Sequence, residues 1–334
     1  MAFIVPKALR ETFMNLSNRR AFLRGSLGAT AGVAASVLSG GSASAQSGAK
    51  TAGRTPMRLS VLSYSFRGLL AEGKMDVFGY LETCKYRYNL SAADIWNGFL
   101  TSMEEGYLKK VRDALDEREM VLADLCADNV HIWEDDPAVR KKNYENALAN
   151  LKAAEILGAR FMRVDAGGRN PTWTSEQFDH IVSRYKEYAQ WAHDHGFKVG
   201  AENHWGAEGV WSNLQKLYRA VDHPGFGISC HIGGWQGTDA EKDEADRLVA
   251  PWVCHTHIPW NITEGPLEEK MKNLRDAGYQ GWYSVEHHTG KDEYTEVDIQ
   301  LTRVRAVLEA WRTGSAGALR EIPRSRRPAG AAKP

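Results

Sequence analysis

The chain has 334 residues, 43% hydrophobic and 25% charged, which is enough apolar material for the core of one large domain. Lysine plus arginine and aspartate plus glutamate each number 42, and the formal charge of zero excludes a global basic field for collecting nucleic acid. The four cysteines show no CxxC pair and no framework spacing, although a Cys230–Cys254 disulfide stays an alternative for an exported protein.

Residues 1–45 have the pattern of an export signal. The charged segment 17–24 contains Arg19-Arg20 and precedes a weakly apolar run, 25–40, and the small residues Ala43-Ser44-Ala45. This order resembles a twin-arginine signal peptide, with cleavage expected after Ala45. The apolar run is short and rich in Gly, Ala and Ser, which disfavours a stable membrane anchor. We therefore predict export to the periplasm by the twin-arginine (Tat) machinery, followed by a flexible linker at 46–57.

From Arg58 onward, short apolar runs alternate with longer amphipathic stretches, which is the pattern of repeated β-α units. Eight strands are predicted, at 59–64, 92–95, 121–126, 161–164, 198–201, 227–230, 252–256 and 283–285. Helices are predicted after each strand, at 76–88, 102–117, 138–157, 175–195, 211–221, 239–248, 266–277 and 295–311. Helices that end in glycine recur where the chain turns back to a strand, as at Gly158, Gly196 and Gly278.

Eight such units predict a (β/α)8 TIM barrel over residues 58–312. An open doubly wound sheet is the alternative, but it normally has fewer strands, and no GxGxxG follows the first strand. Residues 313–334 are rich in Gly, Ala, Pro and Arg and are predicted to form a disordered tail.

Polar and aromatic residues concentrate where the predicted strands end, which is where such barrels place their chemistry. The residues at these positions are Trp96, Asn97, His131, Trp133, Arg163, Asp165, Glu202, His204, Trp205, His231, Trp235, His255, His257, Trp260, Glu286, His287 and His288.

Two carboxylates and two imidazoles from four consecutive strands can converge on one divalent cation. The predicted ligands are Glu202, His231, His257 and Glu286. Oxygen and nitrogen ligands without thiolate suit one Mn, Co or Zn ion, with Mg or Fe(II) as alternatives. For each histidine taken alone, a hydrogen-bonded core position is the alternative interpretation.

Three segments carry a family resemblance: Gly200-Ala-Glu-Asn-His204, His255-Thr-His-Ile258 and Ser284-Val-Glu-His-His288. They resemble the strand-five, strand-seven and strand-eight motifs of the xylose isomerase-like TIM barrels, usually labelled sugar phosphate isomerases/epimerases. The opening segment 62–66 is similar as well.

The resemblance implies a divalent metal held by Glu, Asp, His and Glu, with the two glutamates also moving protons. By position, Glu202, His257 and Glu286 take the first, third and fourth places. The second place departs from the family, because His231 stands where Asp is usual and Gly234 where His or Asn is usual. An imidazole in place of a carboxylate favours a more nitrogen-loving metal.

Such a site predicts enediolate chemistry, with Glu202 and Glu286 as catalytic base and acid. Sugar isomerase or epimerase activity is expected, and a leaving group β to the carbonyl would make the same site a dehydratase or keto-glycoside lyase. His204 and Arg163 are expected to hydrogen-bond sugar hydroxyls or the developing oxyanion. The remaining polar candidates for substrate contact are Asp165, His131 and His255.

Five tryptophans near strand ends predict a carbohydrate substrate, because flat apolar rings suit the C–H faces of a sugar. They are Trp96, Trp133, Trp205, Trp235 and Trp260, and core packing is their alternative role. The loop at 259–265 lacks a basic or glycine-rich phosphate cradle, so a neutral sugar, keto-sugar or glycoside is expected rather than a sugar phosphate.

Two other functions remain open. An endonuclease IV-like nuclease would need a multi-metal cluster and a basic rim, which Gly234 and the zero net charge disfavour. A non-catalytic exported sugar-binding subunit would keep the aromatic residues without turnover. Barrels of this group often pair, so a homo-oligomer is possible, although the sequence marks no interface.

Overall fold

The computed structural model describes residues 57–289 and 291–314. The predicted signal peptide, residues 46–56 of the predicted linker and residues 315–334 of the predicted tail lie outside the described residues. None of the described helices combines the length and the hydropathy that crossing a bilayer requires. All four cysteines are free, so the alternative disulfide between Cys230 and Cys254 is not formed.

Eight parallel strands form a nearly closed barrel, which confirms the predicted (β/α)8 architecture. Their spatial order is β1-β8-β7-β6-β5-β4-β3-β2, so each strand lies beside its neighbours in the chain. The strands are β1 (Leu59–Val61), β2 (Ala92–Trp96), β3 (Val121–Ala127), β4 (Phe161–Val164), β5 (Lys198–Glu202), β6 (Phe226–His231), β7 (Val253–Ile258) and β8 (Tyr283–Val285).

The seam between β1 and β2 is joined by a bridge and by a side chain. Leu62 and Asp94 form an isolated parallel bridge. The buried Tyr80 hydroxyl lies 2.6 Å from the Val61 carbonyl oxygen and accepts the Asp94 amide hydrogen at 2.9 Å. The Tyr80 hydroxyl therefore provides a hydrogen-bond partner for backbone groups of β1 and β2 that do not pair with each other across this seam.

The helices form the outer layer and cover the apolar outer face of the sheet. They are α1 (Arg67–Ala71), α2 (Val77–Glu82), α3 (Glu105–Glu117), α4 (Pro137–Leu157), α5 (Ser175–Asp194), α6 (Trp211–Val221), α7 (Asp239–Val249), α8 (Trp260–Thr263), α9 (Leu267–Asp276) and α10 (Glu293–Thr313).

Local sequence signals fix several helix ends. Asp136 caps α4 by accepting the Ala138 amide hydrogen, and Thr174 with Gln177 forms a capping box at α5. Gly158, Gly196 and Gly278 have φ of 68°, 81° and 86°, as predicted for glycines that end helices.

Two predicted elements differ from the structure. The predicted strand 59–64 ends at Val61, because Ser63–Phe66 form a 3-10 turn that carries Tyr64 over the barrel mouth. The predicted helix 76–88 is α-helical only to Glu82 and continues as a π-turn, Thr83–Arg87.

Candidate active site

A pocket of about 120 Å³ lies at the carboxyl ends of the strands. Carboxylates, imidazoles and two aromatic rings dominate its wall. It is lined by Leu62, Tyr64, Trp96, Cys126, Asp128, Arg163, Glu202, His204, His231, His257, Glu286 and His288.

The four predicted ligands converge in this pocket. The Nδ1 atom of His257 lies 2.6 Å from Glu202 Oε1, and His231 Nδ1 lies 3.8 Å from the same oxygen. Across the cluster, Glu286 Oε2 lies 3.4 Å from His231 Nδ1 and 4.0 Å from His257 Nδ1. The strands β5, β6 and β7 and the end of β8 each supply one group, and the two histidines connect the two glutamates in one cluster.

The donor set fits one divalent cation. Glu286 Oε2 is buried and has no hydrogen-bond partner among the described residues, although it lies 3.4 Å from His231 Nδ1 and 4.0 Å from His257 Nδ1. Burial lowers the pKa of His231 to about 4, so its imidazole is neutral at pH 7 and offers a lone pair. Glu202, His231, His257 and Glu286 would therefore hold the cation.

The carboxylates of this cluster are ionised at neutral pH. Burial alone would raise the pKa of Glu286, but the hydrogen bond from His288 and electrostatic interaction with the neighbouring His231 and His257 imidazoles lower it to about 2. Burial would also raise the pKa of Glu202. The interaction with His257 outweighs burial and holds the pKa of Glu202 well below its usual value. Conversely, burial would lower the pKa of His257, but the interaction with Glu202 outweighs burial and raises it to about 10.

Arg163 lines the pocket beside Glu202, but its side-chain donors contact protein groups. Its Nε atom is 3.3 Å from Glu202 Oε2, and its two terminal nitrogens lie 2.8 Å from Asp165 and 2.9 Å from Asp128. It is 3% exposed. We predicted a direct sugar contact for Arg163, but its donors face protein acceptors, so the structure places it as a support for Glu202.

His204 reaches the pocket from the β5 end, and Asp165 holds it there. Asp165 is buried, and its Oδ2 lies 3.3 Å from His204 Nδ1. Burial lowers the pKa of His204, but Asp165 and Glu202 raise it to about 9, so the ring is a cation. His204 thus lines the pocket, while Asp165 contacts its ring and does not line the pocket.

His131 and Trp205 lie outside the pocket wall. The His131 Nε2 atom is 3.9 Å from Asp165, and its Nδ1 is 3.0 Å from Glu134. The rings of His131 and Trp205 meet edge to face at 5.1 Å. This pair lies next to Asp165, beyond the residues that touch the pocket.

Of the five tryptophans predicted to contact a sugar, Trp96 is the one that lines the pocket. Its indole donates to Asp128 at 2.8 Å, and its ring is perpendicular to that of Tyr64. Trp235 is buried and donates instead to Asp246 on α7.

The two other tryptophans also have partners elsewhere. Trp133 donates to Asp135 and lies under Arg140. Trp260 contacts the ring of His287. For Trp133, Trp235 and Trp260, the packing alternative describes the structure better than substrate contact.

His255 lies below the pocket. It is wholly buried in the barrel interior, where its Nε2 is 3.0 Å from Asp94 Oδ2. A substrate cannot reach it, so the prediction of substrate contact at His255 does not fit its position.

Sequence reasoning assigned no role to four polar or aromatic groups of the pocket wall. Tyr64, Cys126 and Asp128 were not candidates, and His288 was named only as a residue at a strand end. Asp128 follows β3 directly, and the strand-end rule used for the other candidates could have found it. Tyr64 and His288 lie inside segments that carried the family resemblance. Burial raises the pKa of the Cys126 thiol well above its usual value, which makes it an inert wall residue.

Comparison with known proteins supports the fold and the family. A family model described as "Xylose isomerase-like TIM barrel" matches residues 86–311. An uncharacterized protein of Methanocaldococcus jannaschii is 25% identical, over 63% of this chain and 78% of its own length.

Two solved structures share the fold at low identity. A D-tagatose 3-epimerase-like protein is 20% identical with a TM-score of 0.61, covering 76% of this chain and 100% of its own. The 3-keto-D-glucoside 4-epimerase of E. coli is 15% identical with a TM-score of 0.60, covering 75% of this chain and 99% of its own.

Proposed function

The chain belongs to the xylose isomerase-like TIM barrel family, and on that premise we propose that it is a metal-dependent sugar isomerase or epimerase acting through an enediolate. Its substrate is a neutral sugar, keto-sugar or glycoside. The convergence of Glu202, His231, His257 and Glu286 in one pocket is the observation that carries this proposal.

In this proposal Glu202 and Glu286 are the residues that move protons. A divalent cation bound by the four ligands supplies Lewis-acid polarisation of a sugar carbonyl and its neighbouring hydroxyl. Both carboxylates are ionised at neutral pH, so either can accept a proton from the carbon next to the carbonyl, and the same carboxylate can return it to the neighbouring carbon in an isomerisation. In an epimerisation the second carboxylate would first take up a proton, from a substrate hydroxyl or solvent, and then donate it to the opposite face of the carbon. Arg163 holds Glu202, and His288 holds one oxygen of Glu286.

The charges of the pocket support a neutral substrate. Its two cationic groups beside the ligand cluster, Arg163 and His204, both contact the Asp165 carboxylate. Neither is free to balance the two charges of a phosphate. Trp96 and Tyr64 supply apolar ring faces for the C–H face of a sugar, and the small volume suits a single sugar unit.

Elimination is the second candidate reaction, as in a dehydratase or keto-glycoside lyase. The same carboxylates would remove the proton, and loss of a β-substituent needs a proton donor for the departing oxygen. His204, held by Asp165 with a pKa of about 9, is such a donor at the pocket wall. A non-catalytic sugar-binding subunit is the alternative function, and detection of turnover would exclude it.

Metal analysis combined with proton exchange tests the proposal. The protein is purified without chelators, and the metal content of the parent is compared with His231→Ala and with His223→Ala, a control in the loop before β6. About one equivalent of Mn, Co or Zn is expected in the parent and the control but not in His231→Ala. Keto-sugars and glycosides are then incubated in D2O, where isomerisation or epimerisation introduces deuterium at carbon and elimination gives an unsaturated product. A parent that binds no metal and takes none up on addition contradicts the proposal.

Export by the twin-arginine pathway is proposed as well. The pair Arg19-Arg20 and the small residues before Ala45 support it. Replacing Arg19 and Arg20 by lysine keeps the charge and is expected to leave the full-length precursor in the cytoplasm. A processed periplasmic protein in that double variant contradicts the proposed route.

A further inference from the structure

The barrel interior below the ligand cluster carries charge where apolar side chains are usual. Asp94 on β2 and Asp124 on β3 are register partners, and both are wholly buried, as is His255 on β7. Two buried carboxylates are costly unless each has a partner.

Each carboxylate has one oxygen with hydrogen-bond partners and one oxygen, Asp94 Oδ1 or Asp124 Oδ2, that has none among the described residues. Asp94 Oδ2 accepts from Ser60 at 3.1 Å and lies 3.0 Å from His255 Nε2. Asp124 Oδ1 accepts the Arg163 amide hydrogen at 3.1 Å, but its Oδ2 has no hydrogen-bond partner among the described residues.

The unpartnered oxygen of Asp124 faces an unpartnered nitrogen. His257 Nε2 lies 3.9 Å from Asp124 Oδ2, and it too is buried and without a hydrogen-bond partner in the described part of the chain. A ring movement of about 1 Å would bring the pair to hydrogen-bond distance. The opposite nitrogen, Nδ1, is the atom that belongs to the ligand cluster.

We propose that Asp124 is a positioning residue for the proposed metal site, accepting the Nε2 proton of His257 and so leaving Nδ1 as the nitrogen that binds the cation. Histidine ligands are commonly oriented in this way by a carboxylate on their second nitrogen. The inference rests on the proposed function for the presence of the cation, but it concerns a residue that touches neither cation nor sugar.

Asp94 provides a control, because it is equally buried and its carboxylate contacts Nε2 of His255, the other histidine of β7, at hydrogen-bond distance. Asp124→Asn, Asp94→Asn and the parent are compared by titration with Mn²⁺. Asp124→Asn is expected to raise the dissociation constant about 10-fold to 100-fold, whereas Asp94→Asn changes it less than about threefold. Thermal unfolding of the metal-free proteins reports how much each change affects the fold itself.

A measurement on the parent tests the inference without any variant. In the Zn²⁺-loaded protein labelled with ¹⁵N-histidine, NMR is expected to show His257 with metal on Nδ1 and a slowly exchanging proton on Nε2. Metal on Nε2, or equal Mn²⁺ affinity in Asp124→Asn and the parent, overturns the role of Asp124 alone. A parent that binds no divalent cation overturns the proposed function, and this inference falls with it.

Discussion

His288 contacts one oxygen of the Glu286 carboxylate and leaves the other to the ligand cluster. Its Nε2 lies 3.1 Å from Oε1, whereas Oε2 is 3.4 Å from His231 Nδ1 and has no hydrogen-bond partner among the described residues. The His288 ring also stacks on that of His231, with centroids 5.5 Å apart. His288 therefore fixes the rotation of the carboxylate that is proposed to move protons.

Removal of His288 is expected to impair turnover more than metal binding. In His288→Ala, Glu286 can rotate about its terminal torsion, so kcat should fall about 10-fold to 100-fold while metal content stays within about twofold. His288→Gln retains a hydrogen-bond donor and should recover part of the rate. Steady-state kinetics and metal analysis check this, with His223→Ala as the control. An unchanged kcat in His288→Ala would show that the stacked imidazole has no part in positioning Glu286.

Neutral replacement of the two glutamates separates an enzyme from a binding protein. Glu202→Gln and Glu286→Gln keep the side-chain shape but remove the base, so turnover should fall at least about 100-fold. Sugar affinity, measured by calorimetry at saturating metal, should change far less. Glu134→Gln is the control, because Glu134 contacts His131 outside the pocket wall. Equal sugar affinity in every variant, with no turnover in the parent, would favour the non-catalytic alternative.

The sequence predicted the ligand cluster because strand geometry fixes where its residues point. Glu202, His231 and His257 lie at or next to the ends of β5, β6 and β7, and neighbouring parallel strands bring such positions to one level. His255 also points into the barrel, because it is two residues before His257, but it lies about 6.6 Å deeper along the strand. His255 could have been assigned to the core from its position along the strand, in addition to the face of the strand from which it projects.

Strand geometry does not predict the side-chain directions of the tryptophans that lie in loops. Trp96 is the last residue of β2, and its direction follows from the strand. Trp235 lies four residues beyond β6, where loop dihedrals decide the direction of the side chain. The Trp235 indole donates a hydrogen bond to the buried carboxylate of Asp246. This contact depends on the tertiary fold, so no local sequence pattern predicts it. Proximity to a strand end therefore predicts function well for residues in the strand and poorly for residues in the loop.

Loss of the Tyr80 hydroxyl is expected to destabilise the barrel at its seam. Tyr80→Phe would leave the Asp94 amide hydrogen and the Val61 carbonyl oxygen buried without this partner. The free energy of unfolding should fall by about 1–3 kcal/mol, measured by urea denaturation. Tyr107→Phe removes a hydroxyl near the surface and should change it by less than about 0.5 kcal/mol. Equal stability of the two variants would mean that water or a small rearrangement provides new hydrogen-bond partners for the Asp94 amide and the Val61 carbonyl.

Metal binding is expected to release a proton from His257. In the cation-free protein, Glu202 raises the pKa of His257 to about 10, above the unfolded value of about 6.5. This ion pair therefore contributes its full stability below pH about 6.5, and the contribution is lost as the pH rises through about 10. A cation needs the Nδ1 lone pair, so binding must displace the proton over this window. His231, with a pKa of about 4, has no proton to release there.

The apparent metal affinity should accordingly rise about tenfold per pH unit between pH of about 7 and 9, and level off above about 10. Calorimetry in buffers of different ionisation enthalpy should give about one proton released per metal at pH of about 7.5. Glu202→Gln removes the charge that raises the pKa of His257, so its residual binding should release less than one proton. An affinity independent of pH over this range would contradict the pairing of His257 with Glu202, because a histidine that is already neutral exchanges no proton for the metal.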